Sequence, residues 1–440
     1  MRLPNVSLLL PLMAILSSIP TLAGEEAKQP GLLSTAQRAD LVSLANSAES
    51  ELKTDILPFW IKHAPDREHG GFFGLVTNDL TVFQDAPRGM LLTARILWTF
   101  SSAYRKYQDP QYLEMARWAY ADLESRFRDK EQDGYFWSVK PDGTPVLDGK
   151  QIHGQAFAIY ALSEFYRATG EKPALDRAIE VYRLIEKHSR DRQHGGYLEA
   201  FTRDWKRPPG KRLNETGPEC SKSQSTHIHL IEAYANLLRA WPDAGLRSDL
   251  KKAIEVMLTH TLNKSGKHLV LYFDADWSPR SEIISFGHDM EVAWLLTDAT
   301  EAVGDPELLK AVNKTSLALV ESTLAEGLDK DGSVFFTTTP KGISDDNKEW
   351  WVQAEAAVGF INAYQISGDA RYLAAAQRVW DFVEKFLIDR KNGEWVFRVT
   401  KAGKVASQGA KISMWKCPYH NGRACMEIAD RIRAITGGEK

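Results

Sequence analysis

The sequence predicts an all-α fold: an (α/α)6 barrel, or toroid, with a short β-hairpin between each outer helix and the inner helix that follows it. Two observations carry this reading. A glycine turn followed by β-type aromatic or branched residues recurs six times, and helical patterns of two kinds alternate around it. One glycine from each turn gives Gly71, Gly134, Gly196, Gly266, Gly332 and Gly393, with gaps of 63, 62, 70, 66 and 61 residues. A near-constant period of that length marks stacked supersecondary units rather than unrelated domains. Glycine permits the positive φ that such turns need.

The patterns that precede the turns, near 35–60, 112–127, 175–188, 250–262, 308–324 and 372–387, carry charge on one stripe and Leu, Ile, Val or Trp on the other. They read as surface helices. The patterns that follow, 90–104, 154–166, 226–238, 288–302, 352–364 and 421–435, are apolar on every side and rich in alanine. Such helices are buried, and small residues let neighbours approach closely. Six of each close into one ring, so residues 24–440 are expected to form a single domain despite their length.

Residues 1–23 are expected to be a secretory signal peptide. Arg2 precedes an apolar run from Val6 to Ile19, and small residues lead into Glu25. The implied protein is exported, periplasmic or secreted, with no stable membrane association after cleavage. The composition is 43% hydrophobic and 26% charged with a net charge of −3, which excludes wholesale disorder and leaves no basic tract for nucleic acid. Three cysteines, Cys220, Cys417 and Cys425, lack zinc spacing, and an oxidising compartment would permit a Cys417–Cys425 bond. Thirteen tryptophans suit either core packing or a sugar-binding cleft.

Polar residues interrupt the inner helices near their starts: Arg95, His153 with Gln155, Ser225, His227 and His229, His288 with Asp289 and Glu291, Gln353 and Glu355, and His420 with Asn421 and Arg423. In a toroid these starts converge on one end of the central cavity. A lone histidine on an apolar helix is most simply a satisfied core residue. Five at equivalent places point to a site, because buried polar groups are costly unless paired or used. Ser225 and His229 share a helix face, as do His288 and Glu291, whereas His227 and His229 cannot both face the cavity. Trp350-Trp351 and Trp415 flank two of the starts and offer flat faces to a pyranose ring or to rim packing.

Three chemistries compete. A zinc site lacks local ligand spacing. An (α/α)6 glycoside hydrolase needs two carboxylates, which Asp289, Glu291 and Glu355 could supply. Histidine excess instead favours proton transfer at a carbon beside a carbonyl, with an arginine stabilising the enediolate. A non-catalytic sugar-binding module remains a further alternative.

Several stretches sharpen the choice: Ala94-Arg95-Ile96-Leu97-Trp98, Gln155-Ala156-Phe157-Ala158-Ile159-Tyr160, Thr226-His227-Ile228-His229, Ser285-Phe286-Gly287-His288-Asp289-Met290-Glu291, Trp350-Trp351-Val352-Gln353-Ala354-Glu355 and Trp415-Lys416-Cys417-Pro418-Tyr419-His420-Asn421-Gly422-Arg423. Through them the chain resembles the N-acylglucosamine 2-epimerase family, most closely its cellobiose 2-epimerase branch. The resemblance implies an (α/α)6 barrel that inverts C2 of a reducing-end aldose without a cofactor or metal. It implies His288 and His420 as the acid/base pair and Arg95 as the holder of the C1–C2 oxygens. His229 would bind or polarise the substrate, Glu291 would orient His288 or a hydroxyl, and Trp351 and Trp415 would be sugar platforms. Ser225 and His153 stand where the family usually has Asn and Tyr, which bears on substrate contacts. Mannose/glucose/fructose isomerisation and N-acylglucosamine epimerisation are alternatives within the family. The expected partner is a small carbohydrate, and a compact ring suits a monomer.

Overall fold

The computed structural model describes residues 33–208, 219–407 and 409–437. The expected signal peptide lies outside them. Six inner helices form the ring: α3 (Met90–Tyr107), α5 (Ile152–Thr169), α7 (Gln224–Ala240), α9 (Phe286–Val303), α11 (Trp350–Ser367) and α13 (Tyr419–Thr436). Each packs on the next, and α13 returns to α3. The outer layer is α1 (Thr35–Glu51), which continues through a π-helical turn into α2 (Leu57–His63), followed by α4 (Pro110–Asp122), α6 (Lys172–His188), α8 (Ala244–His260), α10 (Pro306–Ser322) and α12 (Ala370–Phe382). Helices α4, α10 and α12 likewise end in π-helical turns. The expected toroid is therefore observed, with most helices extending a few residues beyond the periodic pattern.

Short antiparallel ladders knit the hairpin end. The strand feeding each inner helix pairs with the hairpin of the next repeat: Arg88–Gly89 with Ser138–Val139, Lys150–Gln151 with Ala200–Phe201, and Lys222–Ser223 with Tyr272–Phe273. The pattern continues with Ile284–Ser285 against Thr337–Thr339 and Lys348–Glu349 against Arg398–Val399. Ala410–Ile412 then pairs with Val76–Thr77, joining the last repeat to the first, while α1 packs on α13.

An ion pair with a buried cation repeats with the ladders. The turn aspartate meets a cation on the strand before the inner helix: Asp66 with Arg88, Asp129 with Lys150 at 2.8 Å, Asp191 with Lys222 at 2.7 Å, Asp329 with Lys348 at 2.9 Å and Asp389 with Lys411 at 3.0 Å. In the fourth repeat Asn263 and Ile284 take the two places. Each pair fixes a hairpin to the start of an inner helix, which is where the polar side chains lie.

Candidate active site

The inner-helix starts build a cavity of about 360 Å³ at the hairpin end of the ring. It is lined by all nine side chains that the sequence assigned to a site: Arg95, His153, Ser225, His229, His288, Glu291, Trp351, Trp415 and His420. Tyr272, Glu349, Trp350 and Phe397 complete it. Sequence reasoning did not assign these four to the site. Tyr272 and Phe397 lie in or beside hairpin strands, and Glu349 and Trp350 stand at the last strand residue and the first helical one. The available signal was their position beside a strand that pairs with a neighbouring repeat.

The structure divides the other polar residues of the helix starts from the cavity. Gln155 accepts the Tyr135 N–H at 3.0 Å, His227 the Tyr197 N–H at 2.9 Å, Asp289 the Leu269 N–H at 2.9 Å and Gln353 the Val334 N–H at 2.8 Å. These four brace the glycine turns. A Cβ on Gly196, whose φ is +70°, would come within 2.6 Å of His227 Nε2, so the turn needs glycine for space as well as for its backbone. Of the Thr-His-x-His run, His229 faces the cavity and His227 the turn, as the i, i+2 spacing requires.

His288 and His420 stand on α9 and α13, and both lie close to the Trp351 indole, with ring centroids at 4.9 and 5.5 Å. His420 Nδ1 lies 2.6 Å from Glu355 Oε1. Burial works to raise Glu355, but the Arg423 charge and the His420 hydrogen bond outweigh it and hold this carboxyl at about 2. An ionised Glu355 only accepts, so Nδ1 carries the hydrogen and His420 keeps Nε2 for the cavity. Burial depresses His420 to about 4 against the opposing pull of Glu355. His288 is also pushed down to about 4 by burial. Its Nδ1 lies 2.8 Å from Ser285 Oγ, the same hydroxyl that caps α9. A hydroxyl both donates and accepts, so Ser285 can follow His288 through a change of protonation.

Of the two roles expected of Glu291, orienting His288 or a hydroxyl, the first falls to another side chain. Ser285 holds His288, whereas Glu291 lies 3.2 Å from Arg423 Nη2 and 3.9 Å from His420 Nδ1. Burial and the neighbouring Glu355 charge raise Glu291 to about 8, so it is the protonated member of a split carboxyl pair. Glu291, Glu355 and His420 bring ligand-type atoms within 4.8 Å of one another. Arg423 reaches Glu355 at 2.7 Å with the same nitrogen that meets Glu291, so a guanidinium already supplies the cation that these oxygens share.

Arg95 is 3% exposed and forms no ion pair among the described residues. Its guanidinium lies over the Phe157 and Tyr419 rings at 4.3 and 4.8 Å, and Nη1 is 3.9 Å from Cys417 Sγ. A buried cation without a counter-ion is costly and awaits negative charge from the cavity. His153 is 3% exposed, with no hydrogen-bond partner at either ring nitrogen, and burial followed by the His229 and Arg95 charges pushes it well down. It is a wall residue of the cavity. Trp415, 39% exposed, forms the mouth 6.0 Å from the His153 ring. All three cysteines are buried free thiols, so the permitted Cys417–Cys425 bond is absent.

The arrangement can move protons between two imidazoles while the Arg95 guanidinium stabilises an oxyanion. A sequence model of the N-acylglucosamine 2-epimerase (GlcNAc 2-epimerase) family matches residues 71–421. The chain is 39% identical to a cellobiose 2-epimerase of Bacteroides fragilis over 88% of this chain and 98% of that protein. The solved cellobiose 2-epimerase of Spirochaeta thermophila superposes with a TM-score of 0.84 at 40% identity, covering 91% of this chain and all of the other. A D-mannose isomerase structure shares the fold at a TM-score of 0.73 and 21% identity, over 91% of this chain and 99% of that one. With the family model matched over most of this chain and both cellobiose 2-epimerases matched across most of their length, the chain belongs to the N-acylglucosamine 2-epimerase family and is a sugar 2-epimerase, an isomerase.

Proposed function

We propose that this enzyme inverts C2 of the reducing-end glucose of a β-1,4-linked disaccharide, converting cellobiose to glucosyl-mannose through a cis-enediolate with no cofactor. The reading is supported by one observation above all. Two imidazoles with engaged Nδ1 atoms line one cavity beside a buried guanidinium that forms no ion pair among the described residues.

Ring opening exposes a C1 carbonyl. His288 takes the anomeric O1 proton and so holds the proton it later returns. His420 Nε2 removes the C2 proton, and Glu355 stabilises the imidazolium that forms. Arg95 neutralises the enediolate oxygens as charge develops. His288 then protonates C2 from the opposite face, and His420 gives its proton to O1 as the ring closes. Each well-placed acid or base contributes roughly 10²–10⁴-fold. His229, Ser225 and His153 bind substrate hydroxyls, and Trp351 and Trp415 stack against the sugar rings.

The enzyme is further proposed to be exported under the direction of residues 1–23 and to act as a monomer, the state that a single compact ring suits. The test is incubation with cellobiose in D2O. Deuterium at C2 of a glucosyl-mannose product is expected, and His288→Asn and His420→Asn should each abolish it. Wild-type turnover in both variants overturns the assigned roles, a ketose product assigns isomerisation instead, and released glucose assigns hydrolysis.

A further inference from the structure

A second polar cavity, of about 340 Å³, opens at the other end of the ring, where the inner helices finish. Its inner wall includes Glu232 and Arg423, and neither lines the active-site cavity. Glu232 joins the two cavities. Its Oε2 lies 3.0 Å from His229 Nδ1, and its Oε1 accepts from Tyr419 Oη at 2.5 Å and from Arg423. With Nδ1 engaged, His229 presents Nε2 to the active site.

Two glutamates therefore back two cavity imidazoles, and they differ. Glu355 lines neither cavity and is held ionised by Arg423 and His420. Burial outweighs the Arg423 charge at Glu232 and raises it, so Glu232 is able to carry a proton. It also borders a polar space large enough for water, so it can equilibrate with solvent from behind while a sugar fills the front.

Resting on the epimerase reading, we infer that Glu232 and His229 form a proton relay serving the ring-opening step, with the rear cavity as its connection to water. The proton balance of the reaction leaves room for such a relay. His288 and His420 exchange protons with O1 and C2 and are both restored by the end of a turnover. The ring oxygen O5 must also gain a proton when the C1–O5 bond breaks and lose it when that bond re-forms. In the relay, Glu232 donates its carboxyl hydrogen to His229 Nδ1 as the Nε2 hydrogen of the same ring passes to O5. The C1–O5 electron pair leaves with O5 and bonds that hydrogen. Ring closure runs the same transfers backwards, so no proton or electron is left over.

Ring opening alone is measurable as interconversion of the sugar anomers, without any change at C2. Wild-type enzyme is expected to accelerate anomer exchange of cellobiose, read by exchange NMR. Glu232→Gln keeps the size and hydrogen bonding of the side chain but cannot relay a proton. It should slow enzyme-dependent anomer exchange and kcat together by roughly 10–10²-fold while KM stays near wild type. His229→Gln is a second route to the same loss should Glu232→Gln not fold, as judged by circular dichroism. Wild-type rates in a folded Glu232→Gln enzyme, lost C2 chemistry with anomer exchange intact, or a wild-type enzyme that does not accelerate anomer exchange would each overturn the relay. Deuterium at C2 in wild-type product, measured in parallel, tests the epimerase reading separately. Its presence with unaffected anomer exchange in the variants sinks the relay alone.

Discussion

Glu355 accepts the Nδ1 hydrogen of His420 at 2.6 Å, and this single contact decides which ring nitrogen faces the cavity. Glu355 is itself fixed by Arg423 at 2.7 Å and by Trp294 Nε1 at 2.8 Å, so the imidazole rests on a rigid support. Orientation and charge come from one carboxylate.

Replacing that carboxylate should therefore damage chemistry more than binding. In Glu355→Gln the amide can turn its NH2 toward Nδ1 and place the hydrogen of His420 on Nε2, the wrong tautomer for a base. A drop in kcat of about 10²-fold or more, with KM changed only modestly, is expected from steady-state kinetics. Wild-type kcat in this variant would remove Glu355 from the mechanism.

The depressed histidines set the pH behaviour. His288 and His420 ionise at about 4 in the fold against an ordinary value near 6.5. Base catalysis needs the neutral ring, so the acid limb of kcat/KM should fall near pH 4 rather than near 6.5. Between pH 6.5 and 4 the unfolded chain binds protons that the buried rings refuse, so stability declines as pH falls through that window. His288→Asn lacks this penalty. Its stability relative to wild type should improve from pH 7 to pH 4.5 in urea titrations, and a constant difference would contradict the depressed value.

Arg95 should trade stability for activity. Its guanidinium has aromatic faces but no carboxylate partner among the described residues, so the fold carries a charge for the enediolate to neutralise. Arg95→Met is expected to lower kcat by about 10²–10³-fold, as loss of an oxyanion donor does. The melting temperature should equal or exceed that of wild type. A large fall in melting temperature would mean that Arg95 holds the fold together instead.

The ring was readable because period and hydrophobic pattern are local properties of a chain. Six glycine turns and two kinds of helix leave few architectures open. The cavity side chains were equally accessible, since an Arg, His or Glu in an otherwise apolar helix stands out. Their partners were not. That Ser285 rather than Glu291 serves His288 depends on rotamers and on how α9 sits against its feeding strand. Glu232 lies within an apolar stretch of α7, and its meaning emerges only when Arg423 and Tyr419, nearly two hundred positions away, pack against it. Tyr272 enters the cavity from a strand, and Phe397 from beside one, whose pairing lies between repeats.

The two histidines of α7 offer the sharpest separation of site from scaffold. His227 accepts the Tyr197 N–H through Nε2, which places its hydrogen on Nδ1, directed at the Ser223 carbonyl at 2.7 Å. Gln155 and Gln353 perform the same bracing in their own repeats, each accepting one turn N–H and donating to a carbonyl of that turn at 2.8 Å. An amide therefore already fits this geometry elsewhere in the ring. His227→Gln should keep kcat within about twofold of wild type and cost about 1 kcal/mol, the scale of one imperfect hydrogen bond. His229→Gln, two residues along, should lose most activity. Thermal melts and steady-state rates on the pair check both halves. Equal loss of activity in the two variants would place His227 in the reaction and break the assignment of that inner-helix position to turn bracing.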